Sequence, residues 1–238
     1  MLRVGLTGGL GSGKSTVAAM LRELGAQVTE SDALGRALME PGHGVYDEIV
    51  RHFGSQVVAP DGRLNRARIA EIAFQQGRLQ ELNSIVHPPV IAAQQRWMEE
   101  IWERDPNAIA VLESALIFEV VRDARARGEK ASVLADWRRR IDRIIVVTAP
   151  DDVKIARYVA RVIESAAGRE FSPAERTAIE ADARNRLSHQ VPDAEKAAEA
   201  DYVLDNSGNI DNLRAQVETL WPRLVAESNK SHQNLSLQ

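Results

Sequence analysis

The sequence predicts an α/β fold in which helices cover both faces of a mainly parallel sheet. Three observations carry this. Short, largely apolar runs at 2–7 (LRVGLT), 108–112 (AIAVL) and 143–148 (RIIVVT) have the composition of strands buried on both faces. Stretches with apolar residues at helical spacing lie between them, and strands alternating with helices imply parallel crossovers. The 238 residues suffice for one large domain, or for a domain carrying a sizeable inserted lobe.

The elements follow in order. Residues 8–13 (GGLGSG) cannot continue the first strand, because clustered glycine favours a tight loop. Val17, Met20, Leu21 and Leu24 then mark one face of a helix, and Gly25 fits its stop. A strand is expected at 26–30. The stretch 33–105 is mostly helical, too long for a simple crossover, and is expected to be an inserted lobe. Within it Leu64, Ile69, Ile72 and Phe74 suggest one helix. Pro88 and Pro89 fit the first turn of another, which buries Ile91, Met98, Ile101 and Trp102. A helix is expected to start near Asp151, after Pro150. Ser172, Pro173 and Glu175 form a capping box with proline at the first helical position. Residues 201–205 (DYVLD) read as the last strand. Ile210, Leu213, Val217, Leu220, Trp221 and Leu224 make a closing amphipathic helix, and the polar residues 228–238 are expected to fray.

Composition narrows the function. Apolar residues are 44% and charged residues 27%, which excludes disordered and fibrous classes. Aromatics are 5%, so the core must rest on Leu, Ile, Val and Ala. The net charge of −4 argues against a nucleic-acid partner. With no cysteine, disulfides, thiol catalysis and cysteine-ligated zinc are excluded. No apolar run reaches the ~18 residues of a membrane span, and no signal peptide opens the chain, so a soluble, cytoplasmic protein is expected.

Gly8-Gly9-Leu10-Gly11-Ser12-Gly13-Lys14-Ser15 matches G-x-x-x-x-G-K-[ST]. Glycines let the backbone curl so that successive N–H groups point at phosphate oxygens. The helix opening at Lys14 adds the positive end of its dipole. Lys14 can reach the β- and γ-phosphates, and the Ser15 hydroxyl can ligate Mg²⁺. Ordinary strand–loop–helix context makes this a P-loop NTPase signature.

Several P-loop classes are discounted. Asn229-Lys230 is the only Asn-Lys pair and lacks the aspartate of a guanine signature. No L-S-G-G-Q occurs, and no apolar strand ends in an Asp-Glu pair. Small-molecule kinases remain, with a compact core, an inserted acceptor lobe and an arginine-bearing lid.

A set of ordered motifs sharpens this. LTGGLGSGKST, SDALGRALMEPG, DGRLNRARIAEIAF with LNSIVHPPV, SALIFE, IARYVAR, RLSHQ and ADYVLDNSG occur in sequence. Together they resemble the dephospho-coenzyme A kinase family, over residues 2 to about 220. Departures exist: Ala115 replaces a proline, Asn65 replaces an aspartate before Arg66, and the segments 122–140 and 162–171 look expanded.

The resemblance implies a three-layer α/β/α P-loop NTPase fold with a five-stranded parallel sheet, an inserted helical acceptor lobe and a helical lid. The core would comprise 1–32 and 106–228, the lobe 33–105, the lid about 157–190 and a flexible tail 229–238. The implied reaction moves the γ-phosphoryl group of ATP, with Mg²⁺, to the ribose 3′-hydroxyl of dephospho-CoA. Partners would be these substrates, without nucleic acid or membrane, in a monomer or weak homo-oligomer.

Residue roles follow from the same resemblance. Asp32 would orient the acceptor hydroxyl; alone it reads equally as a helix cap. Arg157 and Arg161, four apart on one helix face, would close over the phosphates. Gly9, Gly11, Ser12, Gly13, Lys14, Ser15 and Thr16 would hold the nucleotide, with Asn206 and Gln190 near the base. Arg36, Arg66, His87 and Glu119 would face the acceptor; for Arg66 and Glu119 an internal ion pair is the competing reading, and for His87 simple packing. Glu113 would hold a water on the metal, or cap the sheet edge. The segment 122–143, with eight basic and four acidic residues, reads as an exposed helical link or a dock for a phosphate-bearing partner. A related kinase with another acceptor, or a P-loop ATPase switch, are the alternatives.

Overall fold

The computed structural model describes residues 1–130, 132–166 and 168–235. Its five strands are β1 (Leu2–Gly8), β2 (Gln27–Glu30), β3 (Ile109–Glu113), β4 (Arg143–Thr148) and β5 (Tyr202–Asp205). They pair in parallel in the order β2-β3-β1-β4-β5. The helices are α1 (Lys14–Glu23), α2 (Ser31–Leu38), α3 (Gly44–Phe53), α4 (Arg66–Ala70), α5 (Leu79–Arg104), α6 (Ile117–Ala126), α7 (Asp151–Ser165), α8 (Pro173–Ser188), α9 (Asp193–Ala198) and α10 (Ile210–Leu235).

Side chains alternate across the sheet, as a strand's two-residue period requires. Val4, Leu6, Val111, Ile145 and Val147 pack on one face with Val17, Leu21, Leu213 and Val217 of α1 and α10. Ala110, Leu112, Ile144 and Val146 pack on the other with Met98, Ile117, Phe118 and Trp137. This gives the three layers. Gly5 is needed on the second face, because a Cβ there would lie 2.9 Å from the Cδ1 atoms of both Ile117 and Ile141. The helices between β2 and β3 carry an apolar cluster of their own, centred on Ile49, Phe53, Val57 and Ile72.

The register sets the strand ends level: Glu30 pairs with Glu113, Gly8 with Val147 and Thr148 with Asp205. The carboxyl ends therefore make one rim. Strands β3 and β4 flank β1 there, so the loop after β1 sits where the crossovers diverge, the usual place for a ligand in such sheets.

Four expectations are corrected. Pro88 and Pro89 lie inside α5, not in its first turn. Each lacks an N–H for the carbonyl four residues back, a loss of about 3 kcal/mol in an isolated helix. The helix persists because it is held at both ends: Leu82, Ile85 and Val86 pack on the Ile49–Phe53 cluster, while Met98 and Ile101 pack under the sheet. Likewise, the helix expected from Leu64 to Phe74 is only α4 followed by one wide π-type turn, Glu71–Gln75, which leaves Phe74 exposed.

The segment after α6 is not an exposed helical link. It folds through a short 3₁₀ turn, Trp137–Arg139, and buries Leu134, Trp137, Arg140 and Ile141. Trp137 meets Phe118 edge-on at 6.4 Å. Nor does the chain fray at Ser228. Helix α10 runs on to Leu235, and Ser228 is buried with its hydroxyl donating to Asn107 O at 2.8 Å. Residues 236–238 of the expected tail lie outside the described residues.

Candidate active site

The phosphate loop forms because β1 ends in residues that tolerate unusual backbone. Gly11 has φ +74° and Gly13 φ +98°, the left-handed region that favours glycine. Space also demands glycine. A Cβ on Gly11 would lie 2.2 Å from Lys154 O, and one on Gly13 2.1 Å from Asn206 Nδ2. Behind the loop Asn206 is buried and its amide donates to Ser12 O at 2.7 Å. Gln190, two residues past α8, accepts from Leu10 N at 3.0 Å. The loop is thus fixed from β5 and from the lid end together.

Lys14 and Ser15 open α1, where first-turn N–H groups have no intrahelical partner. The Lys14 ammonium donates to Gly8 O and Gly9 O at 3.1 and 3.0 Å. Removal from water pushes its pKa down to about 8, against the opposing pull of Glu113 and Asp32. Burial pushes the Glu113 carboxyl up, with Lys14 opposing. Its Oε2 is buried and has no hydrogen-bond partner.

A cleft of about 280 Å³ lies over the loop. Gly11, Gly13, Lys14, Ser15 and Thr16 line it, facing Asp32, Glu113, Arg157, Arg161 and Gln190. Arg157 Nη2 donates to Asn206 Oδ1 at 3.5 Å, while its buried Nη1 has no partner. Arg161 stacks 5.5 Å from the Tyr158 ring. Two guanidinium groups thus line the cleft together with the lysine, so it suits an anion with several charges.

A second cleft, of about 730 Å³, opens beside it between α2, α5 and α6. Leu82, Val86, Val90, Ile91, Leu116 and Val120 give it apolar walls. Arg36 and Arg66 are exposed on its edge and His87 is buried in its wall. Burial pushes the His87 imidazole down to about 4. Asp32 and Ser114 line both clefts.

Asp32 sits in the first turn of α2, immediately after β2, with Glu30 at the cap position. Its carboxylate accepts no hydrogen bond among the described residues, so capping does not occupy it. The neighbouring Ser31 is anchored, accepting from buried Gln94 Nε2 at 3.0 Å. Helix α2 is thereby pinned to α5 while Asp32 stays free at the junction.

Four of the expected site residues do not line a cleft. Glu119 faces away from both clefts. It is 3% exposed and pairs at 2.8 Å with Lys196, which is 0% exposed, while its Oε1 also accepts from Val191 N. Position 119 opens α6 on the side turned to α9, so the ion-pair reading holds. Asn206 likewise faces the loop backbone from behind and lines neither cleft. Gly9 and Ser12 belong to the loop but do not line the cleft, and Ser12 is fully buried.

Sequence reasoning missed the second support of the loop. Lys154 is buried and pairs with Asp193 at 2.6 Å and Asp151 at 2.9 Å. A Cβ on Gly9 would lie 3.2 Å from both Asp193 Oδ1 and Lys154 Nζ. In sequence Asp151 and Lys154 look like an ordinary surface pair three apart; only the packing of α9 onto β4 reveals otherwise. Ser114 was missed too, although its place just after β3 at the sheet rim was a usable signal.

Known proteins match along nearly the whole chain. The dephospho-CoA kinase family model matches residues 2–212. The dephospho-CoA kinase of Symbiobacterium thermophilum is 38% identical over 219 residues, 92% of this chain and 79% of that protein. That of Moorella thermoacetica is 34% identical, covering 94% of this chain and 92% of the other. Among solved structures, TT1252 from Thermus thermophilus superposes with a TM-score of 0.66 at 30% identity, over 94% of this chain and 97% of that one. The dephospho-CoA kinase from Campylobacter jejuni shares the fold, with a TM-score of 0.54 at 17% identity, over 93% and 96%. Its motifs, its sheet and these matches together make the chain a member of the dephospho-CoA kinase family.

Proposed function

We propose that the chain transfers the γ-phosphoryl group of ATP to the ribose 3′-hydroxyl of dephospho-CoA, giving CoA and ADP, and that transfer occurs at the junction marked by Asp32. The carrying observation is that one free carboxylate lines both clefts, the small cationic one and the large apolar one. ATP phosphates fit the first; an acceptor with a long, partly apolar body fits the second.

Phosphoryl transfer needs in-line placement and neutralisation of charge more than covalent help. The loop N–H groups and Lys14 would hold the β- and γ-phosphates. Arg157, which lines the cleft and whose buried Nη1 has no partner, would meet the charge that develops. Asp32 would accept a hydrogen bond from the 3′-hydroxyl and turn its lone pair toward phosphorus. In a loose transition state the proton leaves late, so orientation is the larger share of this role.

The residues also fit Mg²⁺. Ser15 offers a hard oxygen, and the buried Glu113 Oε2 lacks any partner beside it. Ser15 would ligate the ion and Glu113 would hold its hydration shell. When bound, the ion neutralises phosphate charge.

The stretch 33–105 would serve as acceptor lobe and residues 157–190 or so as lid, with residues 1–32 and 106–228 as the nucleotide core. Arg36, Arg66 and His87 would contact the acceptor. A monomer or weak homo-oligomer in the cytoplasm fits a reaction between dissolved nucleotides. The net charge of −4 favours no nucleic-acid partner. No helix among the described residues is long and apolar enough to cross a membrane.

The test is to incubate the protein with Mg·ATP and a panel of nucleosides, sugars and dephospho-CoA, then follow masses. One phosphoryl group gained by dephospho-CoA alone is expected. ATP loss without any phosphorylated acceptor would instead favour an ATPase switch.

A further inference from the structure

The expanded link after α6 carries a buried cation that the reaction described above does not use. Arg140 is 5% exposed and lines the larger cleft. Its Nε donates to Val133 O at 3.1 Å, which holds the plane of the guanidinium. Its Nη2 is buried with no partner, and no carboxylate pairs with it among the described residues. Burial pushes its pKa down only to about 10, so it stays charged at neutral pH.

A buried, unpaired charge is among the most costly features a fold can hold. The other arginines of the cleft do not share this state. Arg36 and Arg66 are exposed, Arg63 pairs with Glu40, and Arg186 donates to Asp182. Beside Arg140 the same wall holds His87, whose Nδ1 is also buried without a partner. The charges of Arg127 and Arg140 oppose protonation of that imidazole and Asp123 favours it. Two residues lining the same cleft, one a fixed cation, thus each carry a buried nitrogen with no partner. Such a pair suits an anionic oxygen, and a guanidinium is matched to phosphate.

We propose that Arg140 is a specificity residue that holds a phosphate oxygen of the acceptor's diphosphate in the larger cleft, so that an acceptor ending at the ribose is recognised less well. The proposal rests on the acceptor assignment made above. It gives the expanded 122–140 segment a purpose: its last residue brings one cation to the wall of the acceptor cleft.

The test compares wild type, Arg140→Met and Arg140→Lys. With dephospho-CoA, Arg140→Met should raise KM about ten- to a hundredfold, the range for losing a hydrogen bond to a charged group, with kcat and the KM for ATP little changed. Arg140→Lys should fall between. Adenosine, which lacks the diphosphate, should bind both variants as it binds wild type. Without substrate, Arg140→Met should melt at or above the wild-type temperature, because a buried unpaired charge is gone. A lower melting temperature with unchanged KM would overturn the proposal in favour of a structural role, as would an equal loss for adenosine.

A measurement on unaltered protein covers the case in which the variants do not fold. With the nucleotide cleft filled by a non-hydrolysable ATP analogue, inorganic diphosphate should raise the titration midpoint of His87 in nuclear magnetic resonance. No movement at saturating diphosphate would overturn the proposal. Failure of the acceptor assignment itself shows differently: wild type would leave dephospho-CoA unphosphorylated.

Discussion

Replacing Glu119 by alanine separates a structural carboxylate from an acceptor contact. Glu119 and Lys196 are 3% and 0% exposed and lie 2.8 Å apart. Removing the carboxylate leaves the ammonium with one carbonyl, Ala115 O at 3.3 Å, and frees Val191 N as well. Breaking a buried pair in this way costs about 3–5 kcal/mol. For a chain of this size each kcal/mol lowers the melting temperature by about 2–4 °C, so a fall of about 6–20 °C is expected by circular dichroism. Below that temperature the KM for dephospho-CoA should stay near wild type. A Glu119→Leu, Lys196→Met pair should recover most of the loss, because an apolar pair leaves no charge uncompensated. The reasoning is refuted if Glu119→Ala melts within about 2 °C of wild type and raises the acceptor KM tenfold.

Other outcomes follow from the same geometry. Gly13→Ala places a Cβ 2.1 Å from Asn206 Nδ2 at φ +98°; strain of about 1–3 kcal/mol should lower the melting temperature by about 2–12 °C, read by circular dichroism. Lys14 begins to lose its proton near pH 8 in the free protein, whereas bound phosphate favours the charged form. ATP affinity should therefore weaken by up to about tenfold per unit as pH rises above 8, and Lys14→Met should remove that slope. Burial raises the folded-state pKa of Glu113, so ionising it costs native stability as pH rises through the carboxylate range. Glu113→Gln should abolish that loss in a melting series across pH, and should weaken the response of turnover to Mg²⁺.

Much of the fold was legible because local and tertiary signals agree. The strands announce themselves by apolar runs, and residues 8–15 allow one loop geometry. Only the ends of the strands shift, by a residue or so. What failed in the sequence was decided by packing. Pro88 and Pro89 read as a helix start, and only the two flanking apolar contacts of α5 let a helix pass through them. The arginine-rich link looked exposed because charge dominates its composition; burial of Trp137, Ile141 and Arg140 overrode that. At the site, most of the residues expected on the loop and at the ends of β2 and β3 line the clefts. Glu119 and Asn206 were displaced from them by one helix face and one loop turn, directions that spacing does not specify. Lys154 and Lys196 gave no signal at all, since a lysine in a helix ordinarily faces water.

The account turns on Asp32 at the meeting of the two clefts. The most direct measurement is the single-turnover rate of Asp32→Asn with dephospho-CoA, beside its ATP affinity by calorimetry. The carboxylate is exposed and makes no hydrogen bond that holds the fold, so the protein should melt as wild type does. Loss of the group that orients the hydroxyl should slow transfer by about 10²- to 10⁴-fold while ATP affinity stays within about twofold. A rate near wild type would contradict the account, and so would a slow rate that saturating ATP restores.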